Sequence, residues 1–246
     1  MVDSIREENV GQISPELLEQ IREGLSFCYP HTAATVAPSK QTATGLKGRQ
    51  LDREAAEDTA APNPSYRQWR KPSFAEHQQQ GRDYGNAFHA AMQYIDYAAC
   101  TGETAVRAEL QRLVDRGYLS AQQAALVNPK AIADFFATDL GQELQQGNVV
   151  REFKFSLLVP ADWFSDGLSD EQILLQGVVD CAWIEHDGIT IIDFKTDFVT
   201  EETLPHKQAQ YAPQVEAYAQ AMERIYQKPV KQRLLYFFHI GRFVSV

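Results

Sequence analysis

The stretch GVVDCAWIEHDGITIIDFKTD, Gly177–Asp197, decides the fold because it contains two strand-like runs joined by a turn. The runs Ile173–Ile184 and Ile189–Lys195 are rich in valine, isoleucine and aromatic residues, which favour β-strands. Asp187-Gly188 stands between them, and this pair is typical of a two-residue hairpin turn. The sequence therefore predicts a β-hairpin that turns at Asp187-Gly188.

This turn brings three charged side chains of the hairpin together. A two-residue loop places Asp180 opposite Lys195, and it places Ala182 opposite Asp193 in the same register. Because side chains alternate along a strand, Asp193 and Lys195 point to one face of the sheet. Asp180 shares that face, about 5 Å from the residue opposite. The hairpin alone thus predicts that two carboxylates and one ammonium group converge.

The two aspartates suit a hard divalent cation. Carboxylates on neighbouring strands can bind Mg²⁺ or Mn²⁺ and leave positions for water and phosphate. Such a cation polarises a phosphodiester and lowers the pKa of bound water. Lys195 would position that water or neutralise developing charge, and the backbone carbonyl of Phe194 would add an oxygen ligand. Asp180, Asp193 and Lys195 are therefore the candidate catalytic residues.

A surface cluster of ion pairs is the alternative interpretation of the same three residues. Lysine and aspartate two residues apart are common on exposed sheet faces. However, Ile191, Ile192 and Phe194 make the second run apolar, as in a buried strand. Buried charges require partners or a function, so the residue pattern leaves both interpretations open.

Helical patterns dominate the chain before the hairpin, and strands with one further helix make up the rest. The predicted helices are Ser14–Leu25 with Ser14 as N-cap, Gly85–Tyr97, Glu103–Arg116, Ser120–Leu126, Pro129–Gln145 and a helix around Pro213–Tyr226. The further predicted strands are Val149–Val159 and one or two within Arg233–Val246, turning at Gly241. This order predicts an α/β or α+β domain with a helical N-terminal half.

Composition limits the class of protein. The 246 residues are 44% hydrophobic, as in ordinary globular proteins. The sequence shows no apolar run of membrane-spanning length and no signal peptide, so we expect a cytoplasmic protein that does not use a membrane. Cys28, Cys100 and Cys181 form no CxxC pair, which argues against a zinc ribbon. The net charge of −10 counts against an unaided nucleic-acid binder, unless a bound metal or a partner attracts the phosphates.

Four short motifs follow one another along the chain. They are Gly85-Asn86-Ala87-Phe88-His89, Gly177-Val178-Val179-Asp180, Asp193-Phe194-Lys195-Thr196-Asp197 and Gln214-Val215-Glu216-Ala217-Tyr218. In this order they resemble the G-x-x-x-H, G-[VI]-[VI]-D, D-[YF]-K-T and Q-x-x-x-Y elements of RecB- and AddA-type nuclease domains of the PD-(D/E)xK superfamily. The resemblance is greatest to the C-terminal nuclease domain of the AddA component of AddAB helicase–nucleases. It extends from about Leu25 to the end of the chain.

The resemblance implies a restriction-endonuclease-like core, a mixed central sheet flanked by helices, and a requirement for Mg²⁺ or Mn²⁺. It implies that His89 binds the metal together with Asp180, Asp193 and the Phe194 carbonyl. The alternative for His89 is an ordinary core or surface histidine on an amphipathic helix. The two departures from the family pattern are Asn86 in place of threonine and Pro213 directly before Gln214. The proline requires a helix start or a kink there.

Five further residues are candidates for substrate contact or for support of the site. Gln214 and Tyr218 share a helix face and would contact DNA phosphate or order the lysine, with Tyr211 one turn earlier. Alternatively, this helix only packs its aromatic stripe. Glu152 would support the metal ligands, unless it forms a surface ion pair with Arg151 or Lys154. Thr196, like Asp197, would bind backbone or substrate.

We expect an N-terminal helix with a lead-in segment (1–36), a long and partly disordered loop (37–80) and the nuclease domain (81–246). The resemblance implies a metal-dependent deoxyribonuclease, an exonuclease on single-stranded DNA ends, that serves double-strand-break end resection. It would act with an AddB-type partner and with the helicase part of a parent polypeptide, because the sequence contains no G-x-x-x-x-G-K-[ST] motif of an ATP-driven motor. The alternatives are a non-catalytic module of the same fold that binds DNA or a partner protein, and a phosphodiesterase for RNA or nucleotides.

Overall fold

A computed structural model describes residues 14–27, 38–46, 73–163 and 171–246, and for residues 73–80 it describes the backbone only. The chain divides into two compact units. One comprises residues 1–38 and 160–171, and the other comprises residues 39–159 and 172–246. All candidate site residues belong to the second unit.

Apart from a short strand at Lys40–Thr42, the described residues follow the predicted order of a helical half, three strands, a helix and C-terminal strands. The helices are α1 (Pro15–Ser26), α2 (Ser73–Tyr94), α3 (Glu103–Asp115), α4 (Ala121–Leu126), α5 (Pro129–Phe136), α6 (Asp139–Gln146) and α7 (Leu204–Tyr226). The strands are β1 (Lys40–Thr42), β2 (Val149–Pro160), β3 (Gln172–Ile184), β4 (Ile189–Lys195), β5 (Val230–Phe237) and β6 (Arg242–Ser245). The helical N-terminal half is therefore confirmed.

The six strands form one mixed sheet. Its order is β1-β3-β4-β5-β6, and β2 also pairs with β3. The β1–β3 and β4–β5 pairs are parallel, whereas β3–β4 and β5–β6 are antiparallel. Gly241, with a φ of +61°, lies in the turn between β5 and β6, as the sequence predicts. A mixed sheet flanked by helices confirms the predicted fold class.

The β3–β4 hairpin has a longer loop than the sequence predicts. Ile184 pairs with Ile189, and the Glu185 amide donates to the Gly188 carbonyl across a four-residue loop. A two-residue type I′ turn needs positive φ at both central residues, and neither Asp187 nor Gly188 has it. The predicted register is therefore wrong by two residues.

This correction leaves the predicted face of the sheet intact. The observed pairs include Cys181 with Ile192 and Ala182 with Ile191. Asp180 precedes Cys181 on β3 and Asp193 follows Ile192 on β4, so this register, continued by one step, sets Asp180 opposite Asp193 instead of Lys195. A shift of two residues returns every side chain to its original face, because side chains alternate with period two. Asp180 and Asp193 therefore still share one face.

Strand β4 is buried over its whole length, because the sheet is covered on both faces. On one face, Ile192 and Phe194 join a core with residues of the helical half, such as Phe88 and Phe135. On the other face, α7 packs against β3, β4 and β5. Asp193 and Lys195 alternate with Ile192 and Phe194, so they point towards α7.

The predicted helices at Pro129–Gln145 and around Pro213–Tyr226 differ from the structure in their bounds. The predicted helix Pro129–Gln145 is broken at Thr138, whose hydroxyl accepts from the Gly141 amide and caps α6. The predicted helix around Pro213–Tyr226 begins earlier, at Leu204, and contains Pro213 within it. Pro213 removes one backbone donor, but burial of Val215, Tyr218 and Met222 holds the helix against the sheet.

The segment 37–80, predicted as a long loop, contains regular structure at both ends. Lys40–Thr42 form β1, and α2 begins at Ser73, well before the predicted start at Gly85. Residues 47–72 of the predicted loop lie outside the described residues. The division of the chain at residues 36 and 80 stays a prediction.

In the first unit, α1 begins as predicted, because the Ser14 hydroxyl accepts from the Leu17 amide and Pro15 occupies the first turn. None of its residues is buried among the described residues. Of the helices that the structure describes, none combines the length and the apolarity needed to span a membrane.

Candidate active site

Four polar side chains are buried among the residues that the structure describes: Thr190, Asp193, Lys195 and Gln214. Three of them were candidates from the sequence. Asp193 is 1% exposed and Lys195 is 6% exposed. The alternative interpretation of these charges as surface ion pairs is therefore wrong, since charges at this depth require compensating partners.

We call Asp193, Lys195 and Gln214 the lysine group. These three side chains are compensating partners for one another. The Lys195 ammonium forms a short ion pair with Asp193. It also lies 3.4 Å from Gln214 Oε1, and Gln214 Nε2 lies 3.4 Å from Asp193 Oδ1. The ammonium is thus held between a carboxylate of β4 and an amide of α7.

Tyr218 and Tyr211 extend the lysine group along α7. Gln214 Nε2 donates to the Tyr218 hydroxyl at 2.5 Å. The Tyr211 ring centroid lies 4.0 Å from Lys195 Nζ, a distance at which a cation is attracted to the ring face. Side chains of α7 therefore surround the Lys195 ammonium, and a role of these residues in ordering the lysine stays a prediction.

Asp197 anchors Tyr211 from the end of β4. The Tyr211 hydroxyl donates to Asp197 Oδ2 at 2.8 Å, and Lys207 Nζ lies 3.0 Å from Asp197 Oδ1. Burial raises the pKa of Asp197, but these two donors outweigh it and hold that pKa below its usual value. An ionised Asp197 thus fixes the ring that lies against Lys195.

His89, Glu152 and Asp180 form a second cluster, which we call the acid–histidine group. His89 Nδ1 lies 3.5 Å from Asp180 Oδ2 and 3.8 Å from Glu152 Oε1. One ligand atom of each residue lies within 4.8 Å of the other two. One imidazole nitrogen and two carboxylate oxygens at this separation can hold a divalent cation.

The acid–histidine group places two carboxylates beside one imidazole. Burial lowers the pKa of His89, but the charge of Asp180 and hydrogen bonds to Asp180 and Glu152 raise it to about 10. Burial raises the pKa of Asp180, but His89, Lys195 and the Phe194 amide hold it below its usual value. The two carboxylates of this group can attract a metal cation, and a metal bound by His89 would displace the imidazole proton.

Glu152 lies within the cluster of possible metal ligands, whereas the sequence predicted that it would only support those ligands. Its φ of +48° makes it one of two non-glycine residues with positive φ in the described chain. Such strain persists where surrounding structure imposes it, often at functional sites. The alternative pairing with Arg151 is wrong, because Arg151 donates to the Ile95 carbonyl and stacks on the Tyr97 ring.

Thr196 and Phe194 each make a contact that involves the protein backbone. The Thr196 hydroxyl lies 3.2 Å from where a Cβ on Gly85 would stand, so this glycine lets α2 approach the end of β4 closely. The Phe194 amide donates to Asp180 Oδ2 at 2.8 Å. Coordination of a cation by the Phe194 carbonyl stays a prediction.

The structure thus brings the candidates together in two adjoining groups. Asp193 belongs to the lysine group, and its charge also raises the pKa of His89 in the acid–histidine group. The sequence did not predict the contacts made by Lys207 and Arg151. It also did not predict the hydrogen bond from Tyr211 to Asp197. Only positions within one strand or helix turn can be related by periodicity, so these contacts between elements carried no sequence signal.

Removal of the Tyr211 ring is expected to slow turnover. Tyr211→Leu loses both the ring face at Lys195 and the bond to Asp197, whereas Tyr211→Phe loses only the bond. A cation–ring contact contributes about 0.5–2 kcal/mol, so kcat should fall roughly 3- to 30-fold in the leucine variant and less in the phenylalanine variant. Steady-state cleavage kinetics measure this, and equal effects of the two variants would contradict a role for the ring.

The sequence is similar to those of known proteins along most of its length. The family model for the PD-(D/E)XK nuclease superfamily matches residues 65–243. An ATP-dependent helicase/nuclease subunit of Bacillus cereus (strain Q1) is 31% identical over 262 residues, which cover 100% of this chain and 21% of that protein. The same subunit of Desulforamulus reducens is 35% identical over 240 residues, covering 94% and 19%, respectively.

The corresponding protein of Geobacillus thermodenitrificans is likewise 35% identical, over 241 residues that cover 93% of this chain and 19% of the relative. The predicted resemblance to AddA-type nuclease domains is therefore confirmed. The chain spans about a fifth of the length of the curated relatives it matches.

Proposed function

The chain belongs to the PD-(D/E)XK nuclease superfamily, and from this premise we propose that it hydrolyses phosphodiester bonds of DNA with a divalent cation. The observation that carries the proposal is the meeting of His89, Glu152 and Asp180 within 4.8 Å, beside the buried Asp193–Lys195 pair. The acid–histidine group as a cation site and the buried ammonium together provide the charges that phosphodiester cleavage requires.

Mg²⁺ or Mn²⁺ fits the donor set. Carboxylate oxygens suit both ions, and an imidazole nitrogen favours Mn²⁺ more than Mg²⁺. We assign His89, Asp180 and Asp193 as ligands together with the Phe194 carbonyl, and we add Glu152 because of its place in the acid–histidine group. When bound, such a cation polarises the phosphate and acidifies a water molecule.

The residues of the lysine group stabilise charge on the phosphate and hold the Lys195 ammonium in position. The Lys195 ammonium neutralises charge that develops on the phosphate, or holds the attacking water by donating to it. Gln214 and Tyr211 keep the ammonium in place from α7, because a flexible lysine chain would otherwise lose this position. Asp193 supplies the counter-charge for the buried ammonium of Lys195.

The substrate and the context of the reaction are further parts of the proposal. The matched relatives are named as ATP-dependent helicase/nuclease subunits. We infer that this chain acts as an exonuclease on a single-stranded DNA end in double-strand-break resection, in the cytoplasm. It would work with a helicase part and an AddB-type partner, which would also supply the positive charge that a chain of net charge −10 lacks.

A metal titration tests the proposal. We expect a labelled single-stranded oligodeoxynucleotide to be degraded only with Mg²⁺ or Mn²⁺, with no cleavage in EDTA. His89→Ala should require about tenfold or more metal for half-maximal rate, in line with the loss of one ligand. His186→Ala, in the exposed hairpin loop, is the matched control. Binding without any metal-dependent cleavage would instead indicate a non-catalytic module, and preferential cleavage of RNA would overturn the assignment to DNA.

A further inference from the structure

A cavity of about 320 Å³ lies along β1, β2 and β3. Its lining residues come from these strands and the turn after β1: Thr42, Thr44, Lys154, Phe155, Gln176, Gly177 and Val178. The volume falls at the lower end of that of small-ligand pockets. It therefore suits an occupant about the size of one nucleotide.

The strands that line the cavity also carry the acids of the candidate active site. Lys154 follows Glu152 by two residues on β2, and Val178 precedes Asp180 by two residues on β3. Two residues of extended strand span roughly 7 Å. Consecutive nucleotides of one strand could thus occupy the acid–histidine group and the cavity at once.

The charge of the cavity differs from that of the whole chain. The chain carries −10, yet none of the lining residues is acidic and Lys154 is the lining residue with a charge. Its side chain is exposed at the cavity. The hydroxyls of Thr42 and Thr44 and the amide of Gln176 add polar groups. An ammonium with neighbouring hydroxyls suits a phosphate and its sugar.

Polar side chains connect the cavity to the lysine group. The Thr44 side chain is close enough to the Tyr218 hydroxyl to lower its pKa, and that hydroxyl accepts a hydrogen bond from Gln214. Gln214 in turn contacts both Asp193 and Lys195. An occupant that contacts Thr44 is therefore connected to Lys195 through two side chains, those of Tyr218 and Gln214.

Gly177 shapes the wall of the cavity. A Cβ at this position would stand 2.6 Å from the Phe155 ring and 3.0 Å from the Ala43 side chain. The absence of a side chain lets the ring pack against β3. The G-[VI]-[VI]-D motif thus sets one wall of the cavity as well as the position of Asp180.

We propose that this cavity binds the nucleotide next to the cleaved bond of a single DNA strand, with the Lys154 ammonium on its phosphate. The inference rests on the proposed function and adds a substrate-positioning residue to it. Lys154 binds through charge, so it acts on strands of any base sequence.

Binding of a fluorescein-labelled oligothymidylate, followed by anisotropy in EDTA over a range of salt concentrations, tests this inference without turnover. Lys154→Gln should weaken binding about 5- to 10-fold at low salt and reduce the slope of log K against log salt by about 0.7, as for one lost phosphate contact. Lys154→Glu should weaken binding further. Lys130→Gln, which makes the same charge change on the exposed face of α5, should leave both quantities unchanged.

The possible outcomes test the nucleotide site and the proposed nuclease activity separately. An unchanged slope in Lys154→Gln, or an equal change in Lys130→Gln, would overturn the nucleotide site. Absence of any binding by the unaltered chain would overturn it as well. Normal binding that depends on Lys154, with no cleavage at any metal concentration, would support the site while removing the proposed nuclease activity. Where cleavage is present, KM should rise more in Lys154→Gln than kcat falls.

Discussion

Asp180→Asn is expected to lower kcat by roughly 10³-fold while the protein keeps its fold, because several kcal/mol of charge stabilisation depend on the bound cation. Asp180 lies 3.5 Å from His89 and accepts a hydrogen bond from the Phe194 amide. Asparagine has the same shape, and its carbonyl oxygen can still accept from Phe194. It lacks the charge that makes the acid–histidine group attractive to a cation.

Asp187→Asn is the matched control for this variant. It makes the same chemical change in the same hairpin, but Asp187 is 70% exposed and pairs with Lys231. Its activity should equal that of the unaltered chain, since exposed ion pairs contribute at most about 1 kcal/mol. Cleavage of labelled single-stranded DNA and circular dichroism provide the measurements. An Asp180→Asn protein that is folded and fully active would remove Asp180 from the mechanism.

Lys195→Met is expected to reduce kcat by roughly 10²- to 10³-fold, comparable with the loss of one group that stabilises charge in a transition state. The metal concentration for half-maximal rate should change much less. The reason is that the Lys195 ammonium is no ligand itself, and of the proposed ligands it contacts Asp193 alone, whereas His89, Glu152 and Asp180 form the acid–histidine group. The lysine thus serves the reaction and not the binding of the cation.

Stability needs a separate control in this variant. Loss of Lys195 leaves the Asp193 carboxylate buried without its ion-pair partner, which costs about 3–5 kcal/mol. The double variant Lys195→Met/Asp193→Asn removes that unpaired charge, so it should recover Tm but no activity. Lys231→Met, on β5 where the lysine pairs with the hairpin loop, is the matched control and should stay active. A large loss of metal affinity in Lys195→Met would indicate that the lysine has a structural role instead.

Much of the site could be predicted from local periodicity. Asp193 and Lys195 share a face because alternation along one strand follows from backbone geometry. The facing position of Asp180 survived a register error of two residues, because only an odd shift would turn it to the other face. Helix α7 places Gln214 and Tyr218 on one face for a similar reason, their spacing of four residues.

Other features depended on packing between elements that are distant in sequence. The length of the hairpin loop followed from backbone conformation at Asp187 and Gly188, which their residue types did not reveal. The early start of α7 brought Tyr211 to Lys195. Burial against the sheet outweighed the local preference for a helix boundary at Pro213, since tertiary packing routinely overrides propensity.

The sequence by itself determined which charged residues share a strand face, the order of helices and strands, and the family, because these depend on neighbours in the chain. Only the tertiary structure decided that Glu152 meets His89 and Asp180, that Asp197 anchors Tyr211, and that a cavity opens beside Gly177. Separations between elements are set by how side chains fill the space between them, and no single stretch of sequence contains that information.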